Sequence, residues 1–268
     1  MTHFASNCTA CSSFRELPLS PIVMFGLRRS NGSRLYLRPL QVWVSMKLVS
    51  ASDSSLLVVL SDAVSLDNHD RVMSLFRALR RLDDRRIRNL HPAYSSILID
   101  FDPLRLSHEE AATLIENLAD DEPQTDRAAK VVTIPVCYDI EFGPDLQEVA
   151  NRAKIPTLEV IRLHTSAKYH VHFLGFTPGF AYLGGLPETL HAPRLATPRM
   201  HVPAGSVAVA GGQAGIYPVD SPGGWRLIGR TPIRIFDPGA AQPTRLNPGD
   251  LVEFSAIDRA TFDATLHR

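Results

Sequence analysis

Short apolar runs and amphipathic stretches alternate over the first half of the chain. Leu56-Leu-Val-Val-Leu60 has the length and composition of a buried strand. Val72, Leu75, Phe76, Leu79 and Leu82 fall at i, i+3, i+4, i+7 and i+10, which is one face of a helix. Ile87–His91 and Ser95–Phe101 read as two strands split by Pro92. Ser107-x-x-Glu110 is a capping box opening a second helix through Leu118, with Ala111, Leu114 and Leu118 inward. Val131–Cys137 is a further strand. The order β-α-β-β-α-β predicts a ferredoxin-like α/β sandwich.

Later in the chain the periodicity shortens. Thirteen of the 16 Gly and 11 of the 20 Pro lie between Gly175 and Gly249, too dense in turn formers for long helices. The expected architecture is α+β: a small α/β domain over 46–125, then a strand-rich domain over 126–268, joined through the polar, Pro-containing stretch 121–130. Residues 1–45 fit neither. Their apolar run 21–27 precedes Arg28-Arg29, the reverse of a signal peptide's polarity. Regular patterning begins just after Met46, so 1–45 is expected to be a disordered or mis-assigned extension, with Met46 the natural start.

Charge and composition narrow the function. Lys plus Arg and Asp plus Glu are 28 each, so the net charge is zero and no nonspecific nucleic-acid partner is expected. No apolar run approaches the roughly 18 residues of a membrane helix. Cys8-x-x-Cys11 lacks the second ligand pair a zinc site needs, and three cysteines fit a reducing, cytoplasmic setting better than a disulfide framework. There is no P-loop, no dinucleotide fingerprint and no G-x-S-x-G elbow. Only four Lys occur, none beyond Lys168, so an anion held by the second half must be held by Arg or backbone N–H groups.

The segment Tyr169–Pro232 carries the strongest signal. It contains Tyr-His-Val-His-Phe-Leu-Gly-Phe-Thr-Pro-Gly-Phe-Ala-Tyr from Tyr169, Pro203-Ala-Gly-Ser-Val-Ala-Val-Ala-Gly-Gly-Gln213, and Ser221-Pro-Gly-Gly-Trp-Arg-Leu-Ile-Gly-Arg230. These residues resemble the allophanate hydrolase subunit 1 family, also called KipI-like, whose members include the B subunits of 5-oxoprolinase. Tyr138-Asp-x-Glu-x-Gly-Pro-Asp-Leu146, Val160-Ile-x-x-His164, Pro92-Ala-Tyr94 and Phe101-Asp-Pro-Leu104 extend the likeness from about Met46 to the C-terminus. The resemblance implies a cyclophilin-like β-barrel behind the α/β domain. It implies a KipA-like partner subunit and a third, lactam-opening subunit. Together these would use ATP, with Mg as its counter-ion, to open 5-oxo-L-proline to L-glutamate. It also leaves two other readings open: a KipI-like inhibitor of a sensor histidine kinase, and a component of urea carboxylase or allophanate hydrolysis.

A lactam is inert through amide resonance, and phosphorylating its oxygen makes the ring carbon electrophilic. Such a site must hold a carboxylate and phosphate oxygens, with dipoles aimed at developing charge. Arg194, Arg199 and Arg230 lie in Pro/Gly-rich segments and are the candidate cations, or else structural ion pairs. Gln213 and Tyr217 flank Gly211-Gly-Gln-Ala-Gly215 and are candidates to orient an amide, or else fill the barrel interior. His170 and His172, two apart on a strand, share a face on which a metal can be chelated, but no third ligand is identifiable and no protein-bound metal is expected. His172 is the candidate polar group of the cleft. Ser206 and Ser221 sit in turns without triad spacing; Ser206 is retained as a binding residue. Phe176, Phe180, Tyr182 and Trp225 on Gly/Pro loops either plug the barrel or line a cleft and interface. His172, Arg199, Gln213 and Arg230 are thus the expected catalytic residues. Phe176, Phe180, Arg194, Ser206, Tyr217 and Trp225 are the expected binding residues. Arg77, Arg80, Arg81, Arg85, Arg86 and Arg88 form a solvated face or a docking patch.

Overall fold

The structure, a computed structural model, describes residues 46–119 and 129–266. The expectations for 1–45, including Cys8 and Cys11, and for most of the 121–130 linker, lie outside the described residues. Four strands and two helices form the first layer: β1 (Lys47–Ser52), β2 (Ser55–Val59), α1 (Leu66–Leu82), β3 (Ile87–Pro92), β4 (Ser96–Phe101) and α2 (His108–Ala119). The sheet is antiparallel in the order β1-β2-β4-β3. Leu56, Val58, Ile97, Ile99 and Phe101 alternate onto its buried face, while α1 buries Val72, Met73, Leu75 and Leu79.

The expected βαββαβ closure is not formed. Val131–Cys137 (β5) joins the barrel, and the sheet edge beside β2 is taken by β1, from upstream. The order of elements along a chain does not decide this: β1 forms a local hairpin with β2, while β5, whose buried residues alternate, pairs with the later strands Leu251–Ile257 and Arg226–Arg230 in the barrel. The Ser107 capping box forms as expected: the Glu110 carboxylate accepts from the Ser107 backbone N–H at 2.8 Å, and the Ser107 hydroxyl oxygen from the Glu110 N–H at 3.2 Å. Helix α1 starts a full turn earlier than its apolar stripe, capped by Ser65, whose side chain accepts from the Asn68 N–H.

The remaining strands are β6 (Lys168–Leu174), β7 (Ala181–Gly184), β8 (Arg199–Val202), β9 (Ser206–Ala210), β10 (Gln213–Ile216), β11 (Ser221–Gly223), β12 (Arg226–Arg230) and β13 (Leu251–Ile257). Seven strands close a barrel in the order β10-β7-β6-β13-β5-β12-β9, with β5 and β13 parallel. Its core is aliphatic, with Ile134, Val136, Val171, Leu183, Val207, Val209, Ile216 and Ile228 fully enclosed. Strand β9 is buried on both faces. Val207 and Val209 enter the barrel, whereas Ala208 and Ala210 lie under a second cluster of Phe180, Val202, Tyr217 and Trp225. This explains the uninterrupted Ser-Val-Ala-Val-Ala run. Helices α3 (Leu146–Ala153), α4 (Thr157–Ser166) and α5 (Arg259–Leu266) complete the described chain.

His164, on α4, is wholly enclosed. Its Nδ1 shares a 2.7 Å hydrogen bond with the Tyr138 hydroxyl, its ring stacks on Phe254, and its Nε2 has no partner among the described residues. Burial depresses its pKa from 6.5 to about 3. A depressed histidine contributes stability that is complete above its unfolded value and is lost as pH falls toward the folded one. Unfolding free energy measured in urea should therefore decline between pH 6.5 and about 4, by up to about 1.4 kcal/mol per pH unit from this group. In His164→Gln, that part of the slope should disappear.

Candidate functional site

The α/β layer meets the barrel along β6, and the register of β6 explains why. Val171 pairs with Leu183 and Phe173 with Tyr182, so His172 is an inserted residue, a β-bulge. Left out of the ladder, its carbonyl accepts a 2.9 Å hydrogen bond from Nε2 of His69 on α1. The two imidazoles meet edge-to-face at 4.5 Å. The bulge also breaks the alternation that would have set His170 and His172 squarely on one face. Among the described residues, no group of three or more His, Cys, Asp or Glu is placed to hold a metal.

The displaced His172 ring folds over Gly184, where a Cβ would lie 2.0 Å from its Nε2. The ring is 5% exposed, its Nδ1 has no partner, and burial with His69 and His170 nearby lowers its pKa to about 4. It is therefore neutral at physiological pH, able to donate or accept one hydrogen bond.

A cavity of about 710 Å³ opens beside it. Its walls are the start of α1 (Val64–Leu66), the end of β7 (Gly184 and Gly185), the Pro193–Arg194 loop and the β9–β10 turn Ala210–Gln213. Gly211, at that turn, has φ +56, and an added Cβ would meet nothing within 4 Å. Gln213 donates from Nε2 to the hydroxyl of Tyr94, a residue of the α/β layer. Tyr94 also packs edge-on against His172 and Phe173, and burial pushes its phenol up to about 12.

Of the expected site residues, His172, Gln213 and Arg194 line this cavity. Phe180, Tyr217 and Trp225 form the buried aromatic cluster next to it, linked through Tyr182 to Tyr94. The Arg194 guanidinium lies over Trp225 at 5.8 Å. Phe176 stands apart. It is 62% exposed and holds φ +66, a left-handed conformation costly for a bulky side chain. Arg199, Arg230 and Ser206 do not line the cavity. Arg199 is held at 2.7 Å by buried Asp145, whose second oxygen accepts from the Leu227 N–H. Arg230 donates to the Ala204 carbonyl and lies over Phe142. Ser206 is buried in β9, its carbonyl accepting from the Tyr217 N–H.

Three contributors were not evident from the sequence. His69 and Tyr94 come from the other layer, and Arg226 is 7% exposed. Arg226 pairs with Glu148 and donates to the Pro193 carbonyl at 3.1 Å, which fixes the loop carrying Arg194. Pro92-Ala-Tyr94 stood among the matched motifs, and the Pro before a short turn was the only hint of Tyr94's placement.

Gly184→Ala should expel the His172 ring. Overpacking predicts a loss of about 1–3 kcal/mol in denaturant unfolding, together with a changed His172 imidazole signal by NMR.

The family profile described as carboxyltransferase domain, subdomain C and D, matches residues 46–246. A protein of Bacillus subtilis (strain 168), named as the B subunit of 5-oxoprolinase, is 47% identical over 149 residues, which is 56% of this chain and 62% of that protein. Proteins of the same name from Escherichia coli O157:H7 and Haemophilus influenzae are 40% and 39% identical. Those alignments cover 75% and 78% of this chain, and 92% and 97% of theirs. The crystal structure of TTHA0988 superposes with a TM-score of 0.69 at 39% identity, over 76% of this chain and 40% of that one. This chain thus spans less than two thirds of the Bacillus protein and of TTHA0988. Kluyveromyces lactis urea carboxylase, at 21% identity and TM-score 0.68, covers 83% of this chain and 22% of its own, and shares the fold.

Proposed function

This chain belongs to the carboxyltransferase domain, subdomain C and D, family, and on that premise we propose that it is the B subunit of an ATP-dependent 5-oxoprolinase. The reading is supported by three relatives of that name at 39–47% identity and by the cavity at the layer junction. The reaction opens 5-oxo-L-proline to L-glutamate while ATP becomes ADP and phosphate. Phosphoryl transfer to the lactam oxygen releases ADP and creates the electrophilic carbon; water adds there, the ring C–N bond breaks with its nitrogen taking up a proton, and a second water hydrolyses the resulting acyl phosphate to L-glutamate and phosphate.

The observation that carries the reading is the composition of the cavity wall. It offers a neutral imidazole whose ring makes no hydrogen bond, a glutamine amide turned by Tyr94, and one guanidinium without a carboxylate partner, all among the described residues. That set suits a small amide bearing one negative charge. It does not suit a triphosphate, whose several charges need more cations or Mg than one arginine supplies. The nucleotide site is therefore completed by other polypeptides: a KipA-like partner docked on this chain, and a third, lactam-opening subunit. Exposed Phe176 and Met200 are apolar groups that such a partner would cover. The fuller fold reading belongs to the same proposal: a cyclophilin-like barrel behind a ferredoxin-like layer in which β1 replaces the expected last strand. So does a cytoplasmic location. Among the described residues, no helix is long and apolar enough to cross a membrane.

A carboxyltransferase role of the urea carboxylase kind is the second reading, favoured by the family description and the shared fold. It differs in requiring a biotin-bearing partner. A kinase inhibitor would need only an outer face and leaves the cavity without a role.

Coexpression of the chain with its KipA-like partner and the third subunit, followed by coupled assays of ADP and glutamate, decides the matter. Both products should form in equal amounts only when 5-oxoproline is present, and the chain alone should form neither. Absence of turnover in every combination removes the proposal, and transfer of carboxyl groups from carboxybiotin to urea would install the second reading.

A further inference from the structure

We infer that the junction cavity is the lactam subsite, with Arg194 and the first turn of α1 holding the substrate's carboxylate and His172 facing its ring amide. This rests on the 5-oxoprolinase reading and goes beyond it by assigning the two ends of the substrate to named groups.

The charge distribution orients the cavity. Among the described residues, no Asp or Glu lines it, and Arg194 is the only ionised side chain that does. Arg194 has no carboxylate within reach among the described residues, unlike Arg199 on Asp145 and Arg226 on Glu148. Its charge reaches the hydroxyls of Tyr94 and Tyr217, where it partly offsets the effect of their burial. Across the cavity, Val64, Ser65 and Leu66 open the 17-residue α1, so the positive end of its dipole faces the same space. Asp67, one residue on, does not line it.

His172 supplies the second, independent observation. The residue lines the cavity while only 5% exposed, and its ring makes no hydrogen bond among the described residues; Nδ1 is closed off from solvent, which leaves Nε2, above Gly184, as the nitrogen able to meet a ligand. Being neutral, it adds no second charge, so the wall matches a monoanion rather than a phosphate chain. A lactam offers both an N–H and a carbonyl to an imidazole whose tautomer is free to suit. Gly184, Gly185, Gly211 and Gly212 leave the walls without side chains, and a flat five-membered ring can lie against them.

The test uses the assembled enzyme with wild-type chain, Arg194→Ala and Arg194→Lys, and two lactams: 5-oxo-L-proline and 2-pyrrolidinone, the same ring without a carboxylate. Arg194→Ala should raise KM for 5-oxoproline on the order of 30-fold, with Arg194→Lys intermediate. KM for ATP should stay within about two-fold, and 2-pyrrolidinone should be equally poor with every variant. A rise in the KM for ATP instead, or equal losses with both lactams, overturns the assignment while leaving the enzymatic reading intact. Should the wild-type assembly not turn over, saturation-transfer NMR of 5-oxoproline on the full-length chain separates the claims. Binding that vanishes in Arg194→Ala retains the subsite and removes the activity; no binding to the wild type removes both.

Discussion

The hydrogen bond from the His69 imidazole to the backbone carbonyl of His172 is the constraint around which the site is organised. It exists because β6 carries one residue more than β7 can pair, leaving a carbonyl without a ladder partner. A single such bond contributes only about 0.5–1.5 kcal/mol net, but leaving that buried carbonyl unpaired would cost more. The same insertion swings the His172 ring onto Gly184, at the cavity, without a hydrogen-bond partner among the described residues. One local irregularity thus joins two layers and creates the site's most exacting polar group.

The arginines divide by what faces them. Arg199 and Arg226 are half-buried or buried and neutralised by Asp145 and Glu148. Removing either partner would strand a charge, so these pairs keep the loops around β12 in place. Arg226 extends this to Pro193, and so positions Arg194, whose guanidinium no carboxylate neutralises among the described residues. Structural ion pairs and ligand-binding cations are the same residue type in the same Pro/Gly-rich stretch; only their neighbours separate them.

The aromatic residues divide in a similar way. Phe180, Tyr217 and Trp225 fill the space outside β9 and stiffen the wall behind Arg194. Phe176, in a strained backbone conformation and facing outward, makes edge-on ring contacts with Phe180 and Tyr217. Backbone strain at an exposed aromatic serves no packing purpose within the chain, which agrees with a surface that another polypeptide completes.

Most helices and strands of the α/β layer, the Ser107 capping box and the strand-and-turn character of the glycine-rich region were legible from local pattern, because helices and strands impose their periods on the residues within them; the barrel was expected only from the family resemblance. So was the family, carried by a long contiguous run from Tyr169 to Pro232. Sequence alone also placed His172, Gln213 and Arg194 among the candidates. What it could not separate were choices made by residues far apart in the chain. Whether β5 leaves the first sheet to pair with β13, whether Arg199 meets a carboxylate, and whether Tyr94 reaches Gln213 all depend on partners between about 50 and 120 positions away. The β6 bulge is likewise invisible in β6 itself, since it is a mismatch in length between two strands. Tertiary structure decided these points because register and charge pairing are properties of contacts, and periodicity reports only the face a residue presents.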